Sequence, residues 1–318
     1  MNIILSTSTL PQGSCDSHVH IFGHLDQYPM ALDRTYTPIE ASVRDLQNHL
    51  KSLDLTRTVL IQPSVYGEDN RCMITALAEL KDTARGVAVL PIGIGFEELA
   101  HFHIHRVRGV RLNIASRHNP QDPWTVSKLQ QEISSWTEKL SAMSKSSLTM
   151  EYDTTTITCP WHIQVFCEPS LLTEAFLPML QNSTKLVIDH VGLMTPKNLR
   201  QSKMIDQLLK ILVDGQHFMK LSASYRLQCI SERESNNLSA FVNLLTSACP
   251  DQLLWASDWP HTNLIKDKSP LEEIPFRNIS KNRLQEELFE WLATEDLVQK
   301  IMVKNPEKIY GFKEIQTS

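Results

Sequence analysis

Eight short apolar runs, separated by stretches whose apolar residues recur at helical spacing, set what this chain can fold into. The runs are "DSHVHIF" (16–22), "RTVLIQPS" (57–64), "GVAVLPIG" (86–93), "RGVRLNI" (108–114), "WHIQVFCE" (161–168), "KLVIDHVG" (185–192), "FMKLSA" (218–223) and "LLWASDWP" (253–260). They are largely continuous rather than alternating, the pattern of parallel strands covered on both faces. Between them, "SVRDLQNHLKSLDL" (42–55) carries apolar residues at 43, 46, 50 and 53, a helical period. The segments 70–84, 168–182, 198–215 and 236–249 read the same way, with Pro178 expected to kink or shorten the second of them. A closing helix is expected over 295–305, stopped near Pro306. Strands alternating with helices imply an α/β fold with a parallel sheet, and the count of eight implies a single (β/α)8 TIM barrel. An open doubly wound sheet is the alternative. It would carry a glycine-rich phosphate turn after the first strand, and "IFGHLD" is not GxGxxG.

The chain has 318 residues, 42% of them hydrophobic, enough for one such barrel over 1–318. Its formal charge of −5 mixes both signs, and no basic stripe favours nucleic acid. The apolar runs are too short to span a membrane. The opening "MNIILSTSTLPQG" lacks a basic n-region, so no secretory signal is expected. Six cysteines at 15, 72, 159, 167, 229 and 249 form no CxxC pair, which favours buried reduced thiols in a cytoplasmic protein. Two segments exceed the simple repeat. Residues 115–160 are long for one connection, and their Ser/Thr-rich middle, 141–158, reads as a mobile surface insertion. Residues 261–294 hold the last loop and an extra helix at 281–293.

In a barrel, residues at the C-terminal ends of the strands meet in one mouth. Here these are His18 and His20, Gln62 and Ser64, Arg111 and Asn113, His162 and Gln164, and Asp189 and His190. Strand seven adds Ser222, Ser224 and Arg226, and strand eight adds Asp258 with His261 nearby. A lone strand histidine is most often a hydrogen-bonded core residue. His18 and His20 share a face because strand side chains alternate, and two buried imidazoles side by side call for a metal, an anion or a polar substrate. Asp16 is expected on that face one step deeper, orienting an imidazole. Asp258 ends an apolar strand with no basic neighbour in sequence, so its pKa should rise unless something pairs with it. It reads as an Asx turn or helix cap, or as a general base or metal ligand facing the histidines. "HFHIH" (101–105) imitates an HxH motif but lies in a helical stretch, where positions two apart do not share a face; it reads as surface chemistry.

These pieces in this order resemble the amidohydrolase superfamily, in particular the amidohydrolase-related branch that includes 2-pyrone-4,6-dicarboxylate lactonase and other lactone hydrolases. The matching stretches are "DSHVHIF", "YTP" (36–38), "IQPSVYGEDN" (61–70), "RGVRLN" (108–113), "WHIQVF", "VIDHVG", "KLSASYR" (220–226), "SDWPH" (257–261) and "VKNPEKIYGF" (303–312). The resemblance implies that Asp258 takes a proton from water and hands one to the leaving oxygen, while His18, His20 and His190 polarise the substrate carbonyl or bind a divalent metal. It implies that Arg111, Arg117 and Arg226 grip substrate carboxylates, with Tyr36 and Ser64 as further contacts and His261 in place of a neutral amide contact. On this reading the partner is a small carboxylated molecule and no cofactor is required. His162 sits near where metal-binding relatives place a histidine, so His18, His20, His162 and Asp258 form an alternative site for one divalent metal, Zn or Mn. No strand-four lysine is present to bridge two metals. The resulting expectation is a lactone-opening hydrolase; a metal-dependent decarboxylase or hydratase of the same superfamily and an inactive small-molecule binder are the alternatives. The sequence leaves the assembly state open.

Overall fold

A computed structural model describes residues 9–116, 122–145, 148–150, 153–155, 161–227, 231–263, 265 and 269–314. Eight parallel strands form one sheet in chain order: β1 (Cys15–Val19), β2 (Arg57–Ile61), β3 (Ala84–Ala88), β4 (Val107–Asn113), β5 (His162–Phe166), β6 (Leu186–Ile188), β7 (Phe218–Leu221) and β8 (Leu253–Trp255). The sheet closes where Val19 bridges Trp259. Along that seam the Asp258 N–H donates to the His18 carbonyl at 3.1 Å, and the His20 N–H donates to the Trp259 carbonyl at 2.8 Å. The strands are shorter than their apolar runs. The surplus residues, such as 89–93 and 256–260, are the loops that rim the mouth.

Helices α1 (Val43–Ser52), α2 (Arg71–Leu80), α3 (Phe96–Ile104), α4 (Val126–Lys145), α5 (Pro169–Phe176), α6 (Ser202–Val213), α7 (Glu232–Ala248) and α8 (Lys281–Trp291) follow the strands. Ser42 caps α1 through a reciprocal capping box with Asp45, which fixes where that helix begins. Pro178 does shorten α5, which tightens into a 3₁₀ turn over Leu177–Met179. Pro306 does not end the last helix as expected. After α9 (Glu295–Gln299), a π-helical stretch Lys300–Lys304 leads straight into α10 (Asn305–Tyr310), and Pro306, which has no N–H to donate, sits just past that π-helical stretch. Of the 141–158 segment, residues 141–145 belong to α4, and Leu148–Met150 pairs antiparallel with Asp153–Thr155; the remainder lies outside the described residues. Cys15, Cys72, Cys167 and Cys249 are buried and unpaired, while Cys159 and Cys229 lie outside the described residues. Among the described residues, no helix is long and apolar enough to cross a membrane.

The core has two parts because each strand has two faces. Leu60, Ile163 and Leu253 join the helices in a large cluster outside the barrel. Val59, Ile61, Val187 and Leu254 join Ile309, Tyr310 and Phe312 in a smaller one within it. The C-terminal segment therefore closes the barrel floor. Arg57 and Arg85 lie over the Phe312 ring at 5.1 and 4.4 Å, and Arg57 pairs with Glu307 at 2.9 Å. On β1, Asp16 stands opposite Thr58 and Val19 opposite Leu60, so β1 uses three residues where β2 uses two. This bulge breaks the alternation. His18 turns into the barrel, and Asp16 turns away from it toward α1. Asp16 accepts hydrogen bonds from the Ser257 N–H and hydroxyl at 3.0 and 2.5 Å and lies 3.6 Å from His49.

Gly109 of β4 lies against the buried His162 ring; an added Cβ would sit 2.6 Å from it, inside van der Waals contact. Gly109→Ala should lower unfolding free energy by about 1–3 kcal/mol in urea titrations. Gly93→Ala, whose Cβ would meet nothing within 4 Å, should stay within about 0.5 kcal/mol of wild type. Equal stability of the two variants would show that this contact does not constrain the strand pair.

Candidate active site

The strand ends and following loops surround a cavity of about 320 Å³ whose walls include His20, Tyr36, Ser64, Arg111, Phe166, His190, Arg226, Thr262 and Arg277. At its base, β1, β6 and β8 bring four ionisable groups together. The Asp258 Oδ1 lies 3.7 Å from His18 Nε2, 3.6 Å from His20 Nε2 and 3.9 Å from His190 Nε2. All four are buried, and this carboxylate oxygen accepts no hydrogen bond of its own. The other oxygen is fully engaged: it accepts from Arg226 Nε at 2.8 Å and from the Tyr225 hydroxyl at 2.5 Å. Asp258 and His190 both have left-handed backbones, with φ of 62° and 51°. Such a conformation costs a non-glycine residue roughly 1–2 kcal/mol and is retained where surrounding structure fixes it, as at these strand ends.

Burial, the largest single influence, would raise the Asp258 carboxyl, but the Arg226 guanidinium together with His190, His20 and His18 holds the group well below the usual carboxylate range. The rise expected for an unpaired aspartate is thus reversed, because strand seven supplies a partner that is not adjacent in sequence. Burial lowers His190 to about 4 and pushes His18 well below its ordinary 6.5, so near neutral pH these two rings face the ionised carboxylate as neutral imidazoles.

A second polar layer lies beneath. Lys220 on β7, 0% exposed, reaches Gln164 Oε1 at 2.7 Å, His18 Nδ1 at 3.3 Å and Asp189 Oδ1 at 3.4 Å. Asp189 also accepts from Arg111 at 3.1 Å and from Gln164 Nε2 at 3.0 Å. Burial brings Lys220 down to about 8, against the pull of Asp189. Burial opposes the Asp189 charge, but Lys220, His18 and Arg111 more than compensate and keep it ionised.

This layer determines where the imidazole protons sit. His20 Nδ1 lies 2.8 Å from the Ile61 carbonyl, which can only accept, so Nδ1 carries a proton and the tautomer with a single ring proton presents a lone pair at Nε2. His18 has two choices. If Lys220 donates to its Nδ1, the proton sits on Nε2 and can be donated to His20 Nε2, 3.3 Å away. If Nδ1 instead donates to Asp189 Oδ1 at 3.2 Å, both Nε2 lone pairs face Asp258. The second arrangement fits a divalent cation: His18, His20 and Asp258 offer ligand atoms within 4.8 Å of one another, and Asp189 supplies the orienting carboxylate. It would also give a partner to the unengaged Oδ1 of Asp258 and a hydrogen bond to the Oδ1 of Asp189, which otherwise has only an ionic contact with Lys220.

Several residues singled out in the sequence occupy other places. His162 is not part of this group. It is the first residue of β5, two positions below Gln164 on the same face, and its ring packs on Tyr310 at the floor with a centroid separation of 5.3 Å. Gln164 therefore fills the depth at which a strand-five ligand would stand, and the four-residue metal set with His162 does not assemble. His261 is buried behind the wall, between the His49 and Tyr225 rings at 6.3 and 6.1 Å; Thr262, the next residue, lines the cavity instead. His103 is buried and accepts from Trp161 Nε1 at 3.1 Å, so "HFHIH" is only partly a surface feature. Arg117 lies outside the described residues. The sequence reading missed Lys220, Tyr225 and Arg277. Lys220 had a signal: a charge inside an apolar run, on the inward parity. Arg277 follows a loop with no periodic pattern and had none.

The chain matches the family model described as amidohydrolase over residues 15–312. It is 29% identical over 317 residues to 2-pyrone-4,6-dicarboxylate hydrolase of Comamonas testosteroni, covering 96% of this chain and 92% of that protein. It is 26% identical over 305 residues to 4-sulfomuconolactone hydrolase of Rhizobium radiobacter, covering 95% and 91%. Among solved structures, a probable 2-pyrone-4,6-dicarboxylic acid hydrolase from Acinetobacter baumannii, with citric acid bound, superposes with a TM-score of 0.72 at 25% identity. That match covers 95% of this chain and all of the other.

Burial lowers His190 and His261 from 6.5 to about 4 each. The unfolded chain therefore binds more protons than the folded one between those values, and stability present above pH 6.5 should be lost as pH falls. Each histidine contributes a slope of about 1.4 kcal/mol per pH unit down to its folded pKa. Urea midpoints should be flat near pH 7 and decline from pH 6.5 to 4.5; a midpoint unchanged at pH 5 would contradict the burial of these rings.

Proposed function

Because the chain belongs to the amidohydrolase family, matched over residues 15–312, we propose that it is a hydrolase that opens a lactone bearing ring carboxylates. The observation that carries this reading is the unengaged Asp258 oxygen facing three imidazoles at 3.6–3.9 Å, beneath a cavity walled by arginines. The relatives named as hydrolases of a pyrone dicarboxylate and of a sulfomuconolactone support the substrate class.

In the proposed reaction, Asp258 Oδ1 accepts a proton from water as the water oxygen bonds to the lactone carbonyl carbon. Arg226 and Tyr225 fix the carboxylate through Oδ2, so the base is oriented before substrate arrives. His190 lies 2.8 Å from the Ser222 hydroxyl through Nδ1; with that hydroxyl donating, its Nε2–H points to where the carbonyl oxygen becomes negative. His18, with its proton on Nε2, stands beside it. The ring C–O bond then breaks, and Asp258 returns its proton to the departing oxygen. Arg111 and Arg226, with Tyr36 and Ser64, face the carboxylated part of the ring, because guanidinium forks suit carboxylates. His18, His20 and Asp258 would hold a divalent cation, which when bound supplies Lewis-acid polarisation of the carbonyl.

Asp258→Asn should reduce turnover of 2-pyrone-4,6-dicarboxylate by roughly 10²- to 10⁴-fold while circular dichroism shows a folded barrel; wild-type rates in the variant would rule out the base. Since the chain's own groups supply both base and electrophile, hydrolysis should survive exhaustive chelation with elemental analysis confirming metal loss. Activity that disappears with the metal and returns on adding zinc would instead favour a metal-dependent hydrolase or lyase at the same residues.

A further inference from the structure

We infer that Arg277 is a specificity-determining residue, the anchor for a second anionic group on the substrate. The inference rests on the carboxylated-lactone reading and deepens it. Among the described residues three arginines wall the cavity, and two are already committed. Arg111 donates to Asp189 at 3.1 Å and to the Gln62 carbonyl at 3.1 Å. Arg226 donates to Asp258 and to the Thr262 hydroxyl, both at 2.8 Å. Each of those guanidiniums faces a buried carboxylate that neutralises it. Arg277 has no acidic partner among the described residues, and its Nε is buried without an acceptor.

Arg277 is nonetheless held in place. Its backbone N–H donates to the His261 carbonyl at 2.8 Å, and its guanidinium lies over the Tyr225 ring at 5.3 Å. The segment before it is fixed beside Tyr36, because Glu273–Ile274 pairs with Thr37–Pro38. A positioned planar cation with an unused donor edge at a cavity wall is suited to a carboxylate or sulfonate, which takes two of its N–H groups at once. Arg226 contacts the reacting carboxylate, and Arg111 lies on Asp189 beneath it, so a single acidic group held by those two leaves Arg277 unpaired. A substrate with two satisfies it. The site is therefore built for dianionic rings, and Arg277 supplies the selectivity.

The test compares wild type, Arg277→Gln and Arg277→Lys on 2-pyrone-4,6-dicarboxylate and on the two 2-pyrone monocarboxylates, 4- and 6-substituted. Steady-state kinetics are paired with calorimetric affinities for the same three compounds in an Asp258→Asn background, with thermal melting to verify folding. Arg277→Gln should cut the preference for the dicarboxylate over the better monocarboxylate by about 10- to 100-fold, as for loss of a charge-assisted hydrogen-bonded contact. The effect should appear in KM and affinity more than in kcat, and Arg277→Lys should recover part of it. An unchanged preference, or an equal loss on all three compounds, would overturn the assignment. Binding without turnover in the wild type would defeat the hydrolase reading, while the affinity ratios would still decide the role of Arg277. If wild type bound none of the three, both would fall.

Discussion

The seam between the first and last strands is the constraint on which the rest of the molecule depends. Two backbone hydrogen bonds, Asp258 to His18 and His20 to Trp259, close the sheet and join the chain's two ends. Three of the same residues, His18, His20 and Asp258, carry the side chains of the proposed reaction centre. Closure of the barrel and assembly of the site are thus one event: without the seam, an aspartate and two histidines more than 200 positions apart have no reason to meet. The bulge in β1 acts at the same place. By adding a residue between Asp16 and Val19 it turns His18 inward and assigns Asp16 to Ser257 and His49, a buried network on the outer side of the seam.

Below the seam the barrel holds an unusual load of buried charge. Lys220 and Arg111 oppose Asp189, and Arg226 opposes Asp258. Isolated, each would be expelled or neutralised, since burying an unpaired ion costs several kcal/mol. Together they form a charge-paired network in which removal of one member strands another. This arrangement contributes orientation rather than stability. It directs the proton of His18, holds Asp258 by one oxygen and leaves the other available.

Much of this was legible in the sequence because strand parity and the ends of apolar runs report burial directly. His18, His20, His190 and Asp258 were readable as a converging set, and the structure brings them within 4 Å of a common oxygen. What was not legible depended on depth and on register. His162 has the right parity but stands one layer too low, and nothing in a linear chain reports height along the barrel axis. Asp16 was misread because a bulge inverts parity without a local marker. Asp258 could be identified but not its ionisation, since Arg226 reaches it across the β7–β8 connection. Lys220 was visible and unweighted: a lysine inside "FMKLSA" is costly anywhere except opposite a buried acid.

The C-terminal plug has a consequence for traffic through the molecule. With Tyr310 and Phe312 filling the lower end, the interior is a blind well, and whatever enters from above must depart upward. Opening a cyclic ester there would turn an uncharged linkage into a fresh anion beside Asp258. Like charges repel strongly in so dry a setting, and the escape direction is already fixed by the sealed base. The chemistry would then help to clear its own vessel, lifting the linear acid toward solvent as it is made.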